Sequence, residues 1–375
     1  MHYFEYAEKD TTLYSRSGSQ NTGRDEILEV TKDVSAAGVV GGISRVLIKF
    51  DTTYISSSIA KSLIPSSSYT KFYLNLKDAN SRGLNVNQIL YSYPVSQSWD
   101  SGFGRADDFP PIDDGASYFY RDNGTTRTQW TGSITGSGGV WYEQYKASQS
   151  FNNEPSDVRM DVTNIVWRWI HGDIPNDGFI VKRSGSLGLV TTGSNDDEGN
   201  TKRFGNLSFF SSDTHTKYPP SLEVEWDDSV WTTGSLSALS STEIEDLVIY
   251  MKGLRPEYKE KSRVKFRVVG RDRFPEKTFA TTPSTLTVKY LPSGSRTGDG
   301  AFYSIQDAET EDVIVPFGSG SKLSCDSNGN FFNLDLDGYQ PERFYSLLFK
   351  VVSGSGTTQV TEQYFDEGFT FKVTI

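Results

Sequence analysis

The chain has 375 residues, about two and a half times the ~150-residue prior for one domain, which points to two domains. Lys and Arg total 37 against 48 Asp and Glu, a formal charge of −11, the wrong sign for a protein that holds nucleic acid by neutralising phosphates. Cys325 is the only cysteine, so no disulfide forms within the chain; His2, His171 and His215 leave little for a His-rich metal centre, and no apolar run reaches the ~18 residues of a membrane span.

With 23 Phe, 20 Tyr and 7 Trp against 3 Met, burial rests on aromatic rings, which suit pleated, half-buried surfaces. Strand-sized apolar runs are predicted at 43–50, 71–76, 88–93, 179–182, 207–210 and 222–226. Residues 98–148 break this series with a stretch rich in Gly, Asp, Thr and aromatics, expected as a long loop insertion. One segment has a helical period instead. Asp161 or Thr163 caps it, Ile165, Val166, Trp169 and Ile170 form its apolar face, Trp167 and Arg168 point elsewhere, and Gly172 ends it. This predicts a short helix near 163–171 that packs on a sheet.

From Asp227 to Ser235 the apolar alternation stops, and a domain boundary is expected there. Beyond it, runs at 247–251, 264–269, 286–290, 312–316, 344–352 and 369–375 repeat the strand pattern, and Ser241-Thr242-Glu243-Ile244-Glu245 reads as a single helical turn. The predicted fold is all-β: two β-sandwich domains of jelly-roll or Ig-like kind, 1–230 with the insertion 98–148, and 235–375.

Signatures of catalysis are missing. The serine elbow Gly-x-Ser-x-Gly, the phosphate loop ending Gly-Lys-Ser/Thr and the zinc helix His-Glu-x-x-His do not occur. Gly318-Ser319-Gly320-Ser321-Lys322 precedes no helical pattern and reads as a hairpin turn. Asn333-Leu334-Asp335-Leu336-Asp337-Gly338 begins like a calcium loop, but Phe344 stands where a bidentate Glu is required, so a strand with one solvated face is expected. Asn195-Asp196-Asp197-Glu198 reads as a solvated loop tip. Asp107/Asp108 and Asp113/Asp114 are adjacent pairs, whereas glycoside hydrolysis needs two carboxyls opposed across ~5–9.5 Å. Trp99, Tyr118, Tyr120, Trp130, Trp141 and Tyr142 lie among hydrogen-bonding residues and would stack on sugars if exposed; folding inward to pin the insertion is the reading adopted. His171 is expected to cap its helix and Cys325 to be a half-buried strand thiol. The sequons Asn123-Gly124-Thr125 and Asn206-Leu207-Ser208 carry meaning only on a secretory route, and the opening MHYFEYAEKD has no apolar block for a signal peptide.

An ordered set of motifs resembles a known family. It comprises Asp10-Thr11-Thr12-Leu13-Tyr14 with Asn21-Thr22-Gly23, then Ser44-Arg45-Val46-Leu47-Ile48-Lys49-Phe50-Asp51, Phe72-Tyr73-Leu74, Trp99 and Trp130. Asp161-Val162-Thr163 through Trp169 and Gly172, Gly178-Phe179-Ile180-Val181, Ser208-Phe209-Phe210-Ser211 and Pro219-Pro220-Ser221-Leu222-Glu223-Val224 complete it. Over residues 5–226 the chain resembles the DNRLRE family, β-sandwich modules of bacterial surface proteins and phage virions. The string that names the family is missing, and Trp99 and Trp130 stand further apart than is usual there. Val268-Val269-Gly270-Arg271-Asp272-Arg273-Phe274 and Tyr364-Phe365-Asp366 extend a likeness in texture to virion proteins of contractile-tailed phages.

The resemblance implies a non-enzymatic virion protein of the neck, tail or baseplate, made in the host cytoplasm without a signal peptide. Its partners would be other virion proteins in a symmetric multi-copy assembly, with host surface polysaccharide as a further candidate; charge, apolar runs and missing motifs give no expectation of nucleic acid, membrane, metal or cofactor. The alternative it implies is a carbohydrate-binding module that recognises extracellular polysaccharide.

Overall fold

The structure is a computed structural model that describes residues 1–83, 87–124, 126–131, 137–152, 157–185, 196–234, 236–238, 246–274, 289–292, 300–353 and 361–375. Two compact units emerge: a first of Glu5–Ser66 and Lys71–Glu223, and a second of Val224–Ile375 with Met1–Phe4 and Ser67–Thr70. The fold is all-β, as the composition implies.

In the first unit a nine-stranded sheet runs Val158–Asp161, Lys71–Leu76, Ser221–Glu225, His2–Tyr14, Val40–Phe50, Phe179–Arg183, Gln88–Pro94 and Ala147–Phe151, with Lys32–Val34 paired to Val40–Phe50. A two-stranded sheet joins Ile27–Val30 to Leu207–Phe210. Lys71–Leu76 shows the expected period of two, burying Phe72, Leu74 and Leu76. Phe179–Arg183 is a central strand buried on both faces, down to Lys182 and Arg183.

The predicted helix is Thr163–Ile170, with Ile165, Val166 and Trp169 buried. Asp161 Oδ1 accepts the Thr163 amide at 2.9 Å, and Thr163 Oγ1 accepts the Phe72 amide at 2.9 Å, tying the helix start to the sheet. Trp169 packs on Phe179, ring centroids 4.6 Å apart. Trp167 does not simply face away: its ring meets Phe72 edge-on at 5.5 Å and stacks on His171 at 5.2 Å. A second helix, Thr53–Ala60, was not foreseen, because its Ser-rich sequence has no long apolar stripe. It starts by the same device, Asp51 Oδ1 accepting the Thr53 amide at 2.9 Å and hydroxyl at 2.6 Å.

The second unit is a sandwich. One sheet contains Ser237–Ala238, Lys289–Tyr290, Arg263–Asp272, Gly329–Asp335 and Ser324–Asp326, with Leu247–Lys252 paired to Arg263–Asp272. The other contains Glu257–Lys259, Thr361–Thr374, Phe344–Ser353, Gly300–Asp307 and Val313–Val315. Phe266, Val268, Phe332 and Leu334 from the former share one core with Tyr303, Ile305, Leu347, Phe349 and Phe371 from the latter. Tyr303 and Phe332 stack 4.2 Å apart. Alternating apolar residues on both inner faces build this core, as the strand pattern predicts.

The chain passes between units inside the strand Ser221–Glu225. The polar stretch after Asp227 is not bare linker: Cys325 N donates to Val230 O and Thr232 N to Cys325 O, both at 2.9 Å. Its apolar alternation fades because it lies along one strand with Val230 exposed. Gly318 to Lys322 is not a hairpin turn; it joins strands of different sheets through the short turn Ser319–Ser321. Glu225 Oε1 already occupies that turn, accepting Ser319 Oγ at 2.5 Å and Gly320 N at 3.2 Å. The expected turn at Ser241 to Glu245 and the start of the 286–290 strand lie outside the described residues.

Candidate functional site

The described part of 98–148 has few regular strands, and four of its large rings turn inward. Trp99, Tyr118, Trp130 and Trp141 are buried with Leu13, Leu47, Val95 and Ile180. Each buried indole N–H needs an acceptor: Trp99 Nε1 donates to Asp177 O at 2.8 Å and Trp130 Nε1 to Ser117 O at 2.9 Å. Lys9 Nζ donates to Trp99 O and lies 4.6 Å from its ring centroid. Burying one such ring contributes about 4–6 kcal/mol at ~25 cal/mol per Å². Ordering one backbone residue costs about 1–2 kcal/mol, so each ring holds several loop residues in place. Tyr120 and Tyr142 stay half-buried, and Tyr142 meets Tyr145 tilted at 50°, so these rings form no flat sugar platform.

A polar clamp complements the rings. Asn21 is fully buried; its Nδ2 donates to Ser101 O at 2.6 Å and Ala116 O at 2.8 Å, and its Oδ1 accepts Gly23 N at 3.1 Å and Gly104 N at 2.8 Å. One amide thus makes all four of its hydrogen bonds. Gly102 beside it has φ +76°, and a Cβ there would stand 2.5 Å from Asn21 Oδ1, so only glycine fits. Gln20 Nε2 donates to Arg105 O at 3.1 Å and Ala106 O at 2.9 Å, while Asp25 Oδ1 accepts Ala106 N at 3.0 Å. Burial, with Asp107 nearby, pushes Asp25 up to about 6 despite that hydrogen bond.

Three of the four adjacent carboxylates are engaged within the insertion, and Asp107 stays exposed. Asp108 accepts Arg105 N at 2.7 Å, Asp114 accepts Phe103 N at 3.1 Å, and Asp113 pairs with Arg127 at 3.2 Å. None of these contacts opposes two carboxyls across a cleft. What the braced loop offers to solvent is apolar: Phe103 is 67% exposed and Phe109 is 97% exposed, with Ile112 also outside.

The acidic group at 195–198 overturns the expectation of a solvated tip. Asn195 lies outside the described residues; Asp196 and Glu198 are buried. Glu198 receives Arg45 as a fork, Nε to Oε1 at 3.0 Å and Nη2 to Oε2 at 2.6 Å, and Lys182 Nζ at 3.2 Å. Arg45 Nη1 continues to Gly138 O at 2.7 Å, and the Trp141 ring lies 5.3 Å from the guanidinium and 4.9 Å from the Lys182 ammonium. Burial pulls Lys182 down to about 8, against the opposing pull of Glu198. Arg183, drawn down by burial to about 10, is met by neutral acceptors: Gln88 Oε1 at 2.9 Å, Val30 O at 2.8 Å and Gly205 O at 2.6 Å. Both Glu198 oxygens are engaged by cations, so Glu198 holds the sheet to its loops.

Elsewhere the expectations meet simpler fates. Phe332, Leu334 and Leu336 are buried, and Asp337 N donates to Asp335 Oδ1 at 3.2 Å, a local turn at the strand end rather than a calcium loop. Cys325 is fully buried in Ser324–Asp326, and burial pushes its thiol up to about 11, which leaves it inert. His171 caps its helix through its backbone and stacks on Trp167. Glu223 is gripped by Arg159, Nε to Oε2 at 2.9 Å and Nη2 to Oε1 at 3.0 Å. Sequence reasoning missed Asn21 as the clamp; its one signal was Asn21-Thr22-Gly23 ahead of an insertion rich in Gly. The chain matches no protein-family model and no curated protein sequence.

Proposed function

We propose that the chain is a non-enzymatic structural component of a phage virion, at the neck, tail or baseplate, that assembles through its β units and uses no cofactor. One observation carries this reading: the large rings of the insertion are buried as anchors, while the clamped loop presents Phe103, Phe109 and Ile112 outward. A sugar site needs the opposite, flat rings exposed among hydrogen-bonding groups. A stiff apolar projection suits docking against protein, because little ordering entropy remains to be lost on contact. The DNRLRE-like motifs support the same reading, as that family includes phage virion modules. Of the carboxylates singled out in the sequence, Asp108 and Asp114 brace the loop backbone while Asp113 and Glu198 meet cations, which supports assembly over hydrolysis.

Antibody raised against the purified chain should label one fixed position on intact contractile-tailed particles released by cells that carry its gene. Unlabelled particles, together with retention of the purified protein on a polysaccharide column, would refute the reading in favour of carbohydrate binding.

A further inference from the structure

The turn at residues 15–20 of the first unit carries two projections of opposite character. At its end, Gln20 and Asn21 hold the loop that exposes Phe103, Phe109, Pro110, Pro111 and Ile112. Charge on that loop is net acidic: Asp107, Asp108, Asp113 and Asp114 stand against Arg105, against Arg127 paired with Asp113, and against Arg24 over the Phe103 ring, with Asp107 exposed. At the start of the turn, Arg16 Nε donates to Gly41 O at 3.2 Å and its Nη1 pairs with Asp33 at 3.3 Å. These contacts hold the hairpin made by Lys32–Val34 and Val40–Phe50. Its tip exposes Ala36, Ala37 and Val39, the last by 62%. Here the charge is basic: Arg203 Nη2 donates to Ser35 O at 3.0 Å, Lys202 and Arg203 are exposed, and Thr201 Cγ2 would touch a Cβ on Gly38 at 4.0 Å.

An acid-rimmed apolar loop and a base-rimmed apolar hairpin thus flank one turn. A two-fold contact requires this kind of patch, one that is its own complement when rotated onto a second copy. A basic partner of another kind would leave the hairpin and its cations unused, and an anionic bilayer would be repelled by the net acidic loop, with Asp107 exposed on it. We propose that the occupant is a second copy of this chain, the 103–112 loop of each copy seating on the 35–39 hairpin of the other. The inference rests on reading the chain as an assembly component and supplies that reading with a contact.

Sedimentation velocity of the full chain tests it. The wild type should sediment as a dimer that dissociates as salt is raised, since the rim charges are solvent-exposed and screened. Phe109→Asp should weaken the dimer at least about tenfold, as loss of an interface anchor does, and at dilutions where both chains are monomeric it should melt with the wild type. Asp107→Lys and Arg203→Glu should each weaken it, and together restore it. A wild type that is monomeric at every concentration and salt overturns the inference, as does a dimer indifferent to Phe109→Asp, or Phe109-dependent binding to anionic vesicles by a monomer. Particle labelling with a monomeric wild type sinks this inference alone. A Phe109-dependent dimer with unlabelled particles sinks the virion reading alone.

Discussion

Replacing Trp169 by alanine tests whether the helix Thr163–Ile170 is a core element of the first unit. Burying its ring removes ~200 Å² from water, about 5 kcal/mol at ~25 cal/mol per Å², and the pair with Phe179 at 4.6 Å adds about 1 kcal/mol. Against this, Trp169 Nε1 is buried with no hydrogen-bond partner among the described residues, which costs about 1–3 kcal/mol in the native state. The net expectation for Trp169→Ala is a loss of about 3–5 kcal/mol, in the range of large-to-small core changes. Trp167→Ala removes a half-buried ring from Phe72 and His171 and should cost about 1–2 kcal/mol. Trp169→Phe keeps an aromatic ring on Phe179 and deletes the unpaired N–H, so it should stay within about 1 kcal/mol of wild type. Urea melts followed by tryptophan fluorescence read the first unit preferentially, since Trp99, Trp130, Trp141, Trp167 and Trp169 lie in it and only Trp226 and Trp231 in the second. Equal midpoints for Trp169→Ala and wild type, or a greater loss for Trp167→Ala, would refute the packing argument.

Asn21→Ala strips the clamp of all its side-chain hydrogen bonds and should cost about 2–4 kcal/mol; hydrogen exchange at the Gly104 amide should rise with it, and an unchanged rate would count against the clamp. Asp10 is buried with its Oδ2 accepting Ser212 N at 2.7 Å, and burial raises it to about 7. The folded state then keeps a proton that the unfolded chain releases above its ordinary ~4. Stability from this group should therefore be full below pH ~4, fall through pH ~7 and level off beyond; melts of Asp10→Asn across that range should lack the slope. Glu198→Gln leaves Arg45 and Lys182 buried without their carboxylate and should cost about 3–5 kcal/mol, whereas Arg203→Glu on the surface should leave the stability of the monomer, measured at high dilution, within about 0.5 kcal/mol of wild type.

The elements that could be read from the chain are those whose causes are local. Lys71–Leu76 alternates because successive side chains of a strand face opposite sides, and the sequence shows that period directly. Thr163–Ile170 announces itself by an apolar stripe and by Asp161 two residues before its first helical position; Asp51-Thr52-Thr53 repeats the device, but the short Ser-rich helix after it lacks a stripe. Inward burial of the insertion's rings was anticipated from the cost of ordering so long a loop. The partners were not legible. Arg45 and Glu198 are separated by 153 positions, and Asn21 and Ser101 by 80. A carboxylate among glycines looks like a loop tip until tertiary packing removes it from water, after which its charge needs a cation such as Arg45 to offset the burial. Which strands would neighbour which was equally closed to inspection, because the order of the nine-stranded sheet departs from chain order and is selected by total burial against the entropy of closing long loops. Period and caps are properties of a few adjacent residues, while burial belongs to the whole unit, and it is burial that decides which polar groups brace the fold and which apolar ones stay exposed.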